Sequence, residues 1–339
     1  MKTIFIRADA NKSIASGHIM RTKAIADALQ ALGAKVVFIT ADDKAKGLLT
    51  GYENIILNSA YDKMDSEIDA FAKILKEHKN SAVLLDSYFI TPLYLNAISK
   101  LAKIAYIDDI SAFCYELDLL INYSAFLDFD AYKRGQNKAK AYLLGASYTP
   151  LREQFSSVNT NKSYEIKKVL ITTGGADILN LAYNLLKSIT KDNELLSLEY
   201  EIVIGAYNEH KERILELASK YPNLRTRQNV KDMASLMHSC DAAISAGGST
   251  LYELSALSIP SICTQTASNQ KDAPKWGQSG AMLYAGDASK DLASTIKSAL
   301  NHLKTLLHSP ALAQNLATKA HNLVDGKGAS KIAKELIKL

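Results

Sequence analysis

The chain has 339 residues, of which 47% are hydrophobic and 22% charged, a composition that builds full cores unaided and excludes a disordered scaffold. That length predicts about two domains. Lys plus Arg number 40 against 35 Asp plus Glu, a formal net charge of +5 at pH 7; with no run concentrating the bases on one stripe, nucleic acid is not an expected partner, whereas a local site for a small anion remains open.

In chain order, Met1 to Ala10 meets Arg7 and Asp9 after a short apolar run and so lacks the apolar core of a signal peptide. Lys2–Ile6, Lys35–Thr40, Ala82–Leu85 and Ile104–Ile107 read as buried strands, with Leu119–Asn122 and Ala141–Leu144 as shorter candidates. Helical patterns lie between them at about His18–Leu32, Met64–Glu77 and Pro92–Lys100. Apolar runs without polar alternation suit parallel strands covered on both faces, the doubly wound α/β pattern. Around Gln154–Ser163 the chain turns rich in Ser, Asn, Thr and Lys and reads as a linker. The alternation then restarts. Strands are expected at Lys168–Thr173, Leu198–Ile204, Ala242–Ser245 and Ser261–Thr264, with helices at Leu179–Thr190, Lys211–Ser219, Lys231–Met237 and Thr250–Leu257. From Ala288 the chain is helix-rich and ends in an amphipathic segment, Ala329–Leu339. The expectation is two α/β domains, residues 1–155 and 164–339, facing across a cleft. Cys114, Cys240 and Cys263 form no C-x-x-C pair, so neither a disulfide framework nor a zinc site is suggested, and each reads as a small buried apolar residue. No stretch reaches the ~18 apolar residues that span a membrane. The protein is therefore expected in the cytoplasm, as a monomer, without membrane insertion.

The first βα connection carries Ser16-Gly17-His18-Ile19-Met20-Arg21, leaving the C-terminal end of strand one, where open α/β sheets gather their ligands. Ser16 suits an N-cap, and Gly17 lets a ligand approach the backbone. His18 in the first helical turn is either a general base or an ordinary capping or solvent-facing residue. Asp86-Ser87-Tyr88 and Asp108-Asp109 place carboxylates at strand ends, where Asp also serves as a helix cap. The second half opens with a strand running into Gly174-Gly175, a pair able to converge N–H groups on a phosphate or needed only for the turn. Neither G-x-G-x-x-G nor G-x-x-x-x-G-K is present, which removes the nicotinamide and P-loop readings. Ser245-Ala246-Gly247-Gly248-Ser249-Thr250 is a strand, a glycine pair and a helix start, suited to a diphosphate. Glu253, about one turn on, either accepts from a ribose or closes a capping box. Asn269 and Gln270 follow the next strand and can present amide donors, as could any polar surface loop. No His/Asp/Glu spacing resembles a metal site, so no metal or other cofactor is expected.

Taken together, Gly17-His18-Ile19-Met20-Arg21, Leu85-Asp86-Ser87-Tyr88, Tyr106-Ile107-Asp108-Asp109, Leu119-Leu120-Ile121-Asn122, Gly145 to Phe155, Thr173-Gly174-Gly175-Ala176-Asp177, Ser245 to Glu253 and Ser268-Asn269-Gln270 occur in that order. In that order they resemble the PseG family, the UDP-2,4-diacetamido-2,4,6-trideoxy-β-L-altropyranose hydrolases of the pseudaminic acid pathway. The resemblance covers most of the chain. It implies the two-domain GT-B architecture, with UDP held mainly by the C-terminal domain. By that resemblance Gly247, Gly248, Ser249 and Thr250 hold the diphosphate, Glu253 the ribose, and Asn269 the diphosphate or the sugar side. Gly174 and Gly175 close on the phosphates across the cleft, and Gln228-Asn229-Val230 faces uracil. His18 matches the family's catalytic histidine and Tyr88 the tyrosine of its D-x-Y segment, with Gly17 and Arg21 beside them as substrate ligands. The chain departs at Ala15-Ser16, where the family more often has Gly with an apolar or aromatic residue.

The implied reaction is a single displacement with inversion. His18 takes a proton from water, water attacks the anomeric carbon, and UDP leaves toward donors placed in advance. Two alternatives stand beside it. One is a GT-B glycosyltransferase using a UDP-sugar donor, although Lys44–Tyr61 shows no apolar, basic-rimmed surface for a lipid acceptor. The other is a nucleotide-sugar binding protein without turnover.

Overall fold

The apolar runs of the first half become a parallel sheet because they can be buried on both faces. The structure, a computed structural model, describes residues 2–14, 16–156 and 163–339. Seven strands form this sheet: β1 (Thr3–Ala8), β2 (Lys35–Thr40), β3 (Glu53–Ile56), β4 (Ala82–Asp86), β5 (Lys103–Ile107), β6 (Leu119–Asn122) and β7 (Ala141–Leu144). Their order is β3-β2-β1-β4-β5-β6-β7, all parallel. Helices α1 (Gly17–Ala31), α2 (Ile68–Glu77), α3 (Pro92–Ile98) and α4 (Phe129–Gly135) connect them. Successive β1 side chains point to opposite faces: Ile4 and Ile6 join Ile25 and Leu29 of α1, while Phe5 joins Phe71 of α2 and Tyr94 and Ile98 of α3.

The second sheet contains β8 (Lys168–Thr172), β9 (Glu199–Val203), β10 (Leu224–Arg227), β11 (Ala242–Ala246), β12 (Ser261–Gln265) and β13 (Leu283–Asp287). Its order is β10-β9-β8-β11-β12-β13, again all parallel. Around it run α5 (Leu181–Ile189), α6 (Asn193–Leu196), α7 (Lys211–Ala218), α8 (Met233–His238), α9 (Thr250–Ala256), α10 (Ala273–Gln278), α11 (Leu292–Leu307) and α12 (Pro310–Leu323). Val169, Ile171, Ile244 and Ile262 of the sheet pack with Leu181 and Leu185 of α5 and Ala299 and Leu303 of α11.

The chain divides into a first unit, Met1–Glu153 with Gly326–Leu339, and a second unit, Gln154–Asp325. This corrects the assignment of residues 164–339 to one domain. The last helix, α13 (Gly328–Lys338), lies in the first unit because Ile332, Ala333 and Leu336 are fully buried with Ile4, Ile25 and Leu29. Close approach fixes its start: a Cβ at Gly328 would collide with the backbone of Tyr148 and Thr149. Of the expected linker, Gln154, Phe155, Ser156 and Ser163 are described, and Phe155 is buried; residues 157–162 lie outside the described residues, as does Ala15. Cys240 and Cys263 are buried, whereas Cys114 is only half-buried, with its Sγ 3.4 Å from Asn137 Oδ1.

In each sheet the strand order reverses once, between β1 and β4 and between β8 and β11. The C-terminal ends of these strand pairs are the places where ligands bind in open α/β sheets.

Candidate active site

At the reversal in the first unit, register sets the last residue of β1 beside the last of β4, Ala8 opposite Asp86. The chain leaves β1 toward α1, whose N-cap is Ser16 as expected, although its side chain makes no capping hydrogen bond. His18, in the first turn of α1, is buried, and its Nδ1 lies 2.6 Å from Asp86 Oδ1. Asp86 is therefore the acceptor for an imidazole N–H and not a helix cap. With Nδ1–H donated to Asp86, the imidazole keeps its lone pair on Nε2, the arrangement that makes histidine a proton acceptor. The Tyr88 ring meets the His18 ring in a T-shaped contact with centroids 4.5 Å apart.

Arg21 stands one turn beyond His18, on the same face of α1. Its Nε donates to Asp86 Oδ2 at 2.6 Å and its Nη2 to Asp86 Oδ1 at 2.5 Å. Its Nη1 donates to Asp109 Oδ2 at 2.6 Å and to the Tyr123 hydroxyl at 2.5 Å. A guanidinium so committed is a clamp between two carboxylates. Arg21 was expected to bind substrate; within the protein its guanidinium is engaged by Asp86, Asp109 and Tyr123. Burial alone would raise the Asp86 carboxyl, but the charge and hydrogen bonds of Arg21, with that of His18, hold it below the usual carboxylate range. Asp109 keeps 27% of its side chain in solvent, yet the lost solvation of the rest outweighs Arg21, and with Asp86 nearby its carboxyl is pushed up. The Tyr88 hydroxyl, 3.4 Å from Asp109 Oδ2, is likewise pushed up by burial and then by Asp109. Among the described residues no group of three or more His, Cys, Asp or Glu side chains is arranged to hold a metal ion.

The second unit repeats the placement. Gly174-Gly175 follows β8 and Gly247-Gly248 follows β11, and these strands are neighbours in one sheet. The two glycine pairs thus share one sheet edge, which corrects the expectation that Gly174 and Gly175 act across a cleft. Gly174 has φ +88, a conformation that needs glycine. A third glycine completes this corner, since a Cβ at Gly205 would collide with the carbonyl oxygens of Gly174 and Gly175. Sequence reasoning missed Gly205, which carries no motif of its own.

The second pair divides its duties. A Cβ at Gly247 would stand 2.8 Å from Ala273 Cβ, so close packing requires this glycine. At Gly248 a Cβ would meet nothing nearer than Gln270 Nε2 at 4.0 Å; no contact inside the protein demands glycine there. The expected N–H cradle is also smaller than supposed. Gly247 N–H donates to Thr264 O at 2.7 Å and Gly248 N–H to Ala246 O at 2.9 Å, which leaves the amides of Ser249 and Thr250 at the start of α9. Glu253 lies in the first turn of that helix and is half-buried. In the loop after β12, Gln270 is the ordered amide: its Oε1 accepts from Thr266 N at 2.8 Å and Thr266 Oγ1 at 3.1 Å, which turns Nε2 toward Gly248. Asn269, the residue expected there, is exposed. Gln228-Asn229-Val230 follows β10 at the sheet's edge, with Asn229 at φ +52.

No protein-family model matches the chain. It is 24% identical over 338 residues to the spore coat polysaccharide biosynthesis protein SpsG of Bacillus subtilis (strain 168), covering 96% of this chain and 95% of that protein. Over 284 residues it is 22% identical to the UDP-2,4-diacetamido-2,4,6-trideoxy-β-L-altropyranose hydrolase of Campylobacter jejuni, covering 81% of this chain and 96% of that one. Over 139 residues it is 34% identical to the Helicobacter pylori pseudaminic acid cytidylyltransferase and UDP-2,4-diacetamido-2,4,6-trideoxy-β-L-altropyranose hydrolase, covering 40% of this chain and 23% of that longer protein. Among solved structures, Acinetobacter baumannii MurG matches with a TM-score of 0.70 and 17% identity over the full length of both chains. The fold is GT-B.

Proposed function

We propose that this chain is a UDP-sugar hydrolase that cleaves UDP-2,4-diacetamido-2,4,6-trideoxy-β-L-altropyranose at the anomeric carbon. The observation that carries the reading is the His18–Asp86 pair, 2.6 Å apart at the strand reversal of the first unit. The similarity to two proteins named as this hydrolase supplies the substrate. Water gives its proton to His18 Nε2 as its oxygen attacks the anomeric carbon. The bond to the diphosphate oxygen breaks on the opposite face, its electron pair leaves with UDP, and the sugar is released with inverted configuration. Asp86 stabilises the imidazolium that forms. In the second unit, the Ser249 and Thr250 amides and Gln270 Nε2 meet the growing charge on the diphosphate, and Glu253 accepts from the ribose. Gly17, Tyr88, Gly174, Gly175 and Asn269 make further substrate contacts. No helix among the described residues is long and apolar enough to cross a membrane; the reading places a monomeric enzyme in the cytoplasm, acting on a freely diffusing nucleotide sugar.

The test is UDP release from a panel of UDP-sugars in EDTA without an acceptor. Release from the diacetamido-trideoxy sugar, with an inverted product by NMR, supports the reading. UDP binding without release from any sugar sinks it and favours the transferase.

The glycine pair offers a second check. Gly248→Val projects a branched side chain into open space, so UDP affinity is expected to fall about tenfold or more, about 1.4 kcal/mol, while the thermal midpoint stays put. Calorimetric titration with UDP reads the first and a melt the second. Gly247→Val is expected to lower the midpoint instead, because its Cβ meets Ala273.

A further inference from the structure

We propose that Arg21 and Asp109 are positioning residues that set the pH at which His18 can accept a proton, acting through Asp86. The inference rests on the hydrolase reading for its kinetic consequence but not for its physical one. A buried carboxylate hydrogen-bonded to Nδ1 draws a second proton onto the same imidazole, since the charged ring is then paired. The geometry supplies a counterweight. Arg21 Nη2 and His18 Nδ1 converge on the same oxygen, Asp86 Oδ1, and lie 3.2 Å from each other. A cation at that distance opposes a second positive charge on the ring. Asp109 opposes Arg21 in turn by accepting from Nη1 at 2.6 Å.

With Asp86 and Asp109 ionised and Arg21 charged, the cluster carries one net negative charge beside His18. Tyr88, from the loop after β4, and Tyr123, after β6, are neutral there, each raised first by burial. Arg7, Asp9 and Glu67, at the end of neighbouring β1, are closed on one another. Removing Arg21 makes the surroundings more negative; removing the Asp109 charge makes them neutral. The two changes must therefore move His18 in opposite directions, which a merely structural role does not require.

The experiment follows the His18 ring by nitrogen-15 NMR against pH in the substrate-free protein, beside the pH profile of kcat/KM. In Arg21→Gln both the ring's titration and the acid limb of activity are expected to move up by about one unit or more. In Asp109→Asn both are expected to move down. Arg21→Lys keeps the charge without the two-point grip, so its limb stays near the wild-type position while kcat falls. Shifts of one sign in both charge-removing variants, or no shift in either, overturn the proposal. If Arg21→Gln does not fold, Asp109→Asn, altered at a side chain that reaches solvent, decides alone. A protein inactive on every UDP-sugar that still shows the opposed NMR shifts would refute the hydrolase reading and leave this one standing.

Discussion

His18→Ala is expected to lower kcat for UDP release by about 10²–10⁴-fold, the usual contribution of a positioned general base, with the KM for the UDP-sugar and the thermal midpoint little changed. In the proposed function nucleotide affinity rests on the glycine loops of the second unit, which this substitution does not touch. Asp86→Asn tests the same base through its partner. An asparagine amide can turn its NH₂ toward Nδ1, which makes Nδ1 the acceptor and puts the ring's proton on Nε2. A ring in that tautomer cannot take a proton from water, and the loss is expected to reach about 10⁴-fold, as when the buried aspartate of a serine-protease triad is amidated. Asp86 and His18 act as one device, so the double variant should be no worse than the more damaging single one. Full activity in His18→Ala would end the mechanism. Asp86→Asn also removes a carboxylate that Arg21 holds below the usual range, and its stability cost has a defined sign. A depressed carboxyl stabilises the fold above the unfolded-state value of about 3.9 and loses that contribution as pH falls further. The stability difference between wild type and Asp86→Asn should therefore narrow in acid, while the activity difference at neutral pH remains.

The sheets' centres were legible in the sequence because centrality and apolarity coincide. Ile4-Phe5-Ile6, Val83-Leu84-Leu85 and Leu170-Ile171 are buried on both faces and read as uninterrupted runs. The three strands that escaped notice, β3, β10 and β13, all lie at sheet edges. There Glu53 and the two arginines of Leu224-Arg225-Thr226-Arg227 are tolerated, because only one neighbour must be paired. The last helix was seen as amphipathic but placed by chain order. Its face is complementary to α1 and β1, a fact about the far end of the chain that no local pattern carries. The site shows the same division. Gly17, His18 and Tyr88 were named from motifs, but Asp86 was an ordinary strand-end carboxylate until parallel register set β4 beside β1. The protein partners of Arg21, Asp86 and Asp109, lie 65 and 88 residues away, beyond the reach of any local pattern. Gly247 and Gly248 are indistinguishable as letters. Only the approach of Ala273 tells the glycine kept for packing from the one whose Cβ position stands open.

A larger effect on stability is expected from Glu67→Ala, at a site with no motif at all. Arg7 is wholly buried in β1, an unusual place for a guanidinium, and it is held there from 60 residues away. Its Nε and Nη2 donate to Glu67 at 2.6 and 2.9 Å, its Nη1 to Asp9, and Tyr94 and Ser59 add hydroxyls to Glu67 at 3.0 and 2.8 Å. Asp9 in turn accepts from Ala41 N–H at 2.8 Å, beyond the end of β2. Removing Glu67 leaves Arg7 charged, buried and short of its main partner, which is expected to cost about 3–5 kcal/mol. Glu67→Gln keeps acceptor and size and should cost less. Arg7→Met with Glu67→Leu removes both charges together and should recover much of the loss, because two buried ions replaced by apolar groups of similar volume are often no less stable. The single tryptophan makes the experiment specific. Trp276 is buried in the second unit, so its fluorescence follows that unit, while far-UV circular dichroism follows both. In urea, Glu67→Ala should shift an early part of the dichroism transition and move the Trp276 transition less. Coincident shifts of equal size would mean that the two units unfold as one, and a loss below about 1 kcal/mol, the scale of an exposed ion pair, would mean that water reaches the network. The expected asymmetry follows from where the charges lie: Arg7 and Asp9 close the end of the strand from which the His18 loop departs, and every partner they hold belongs to the first unit.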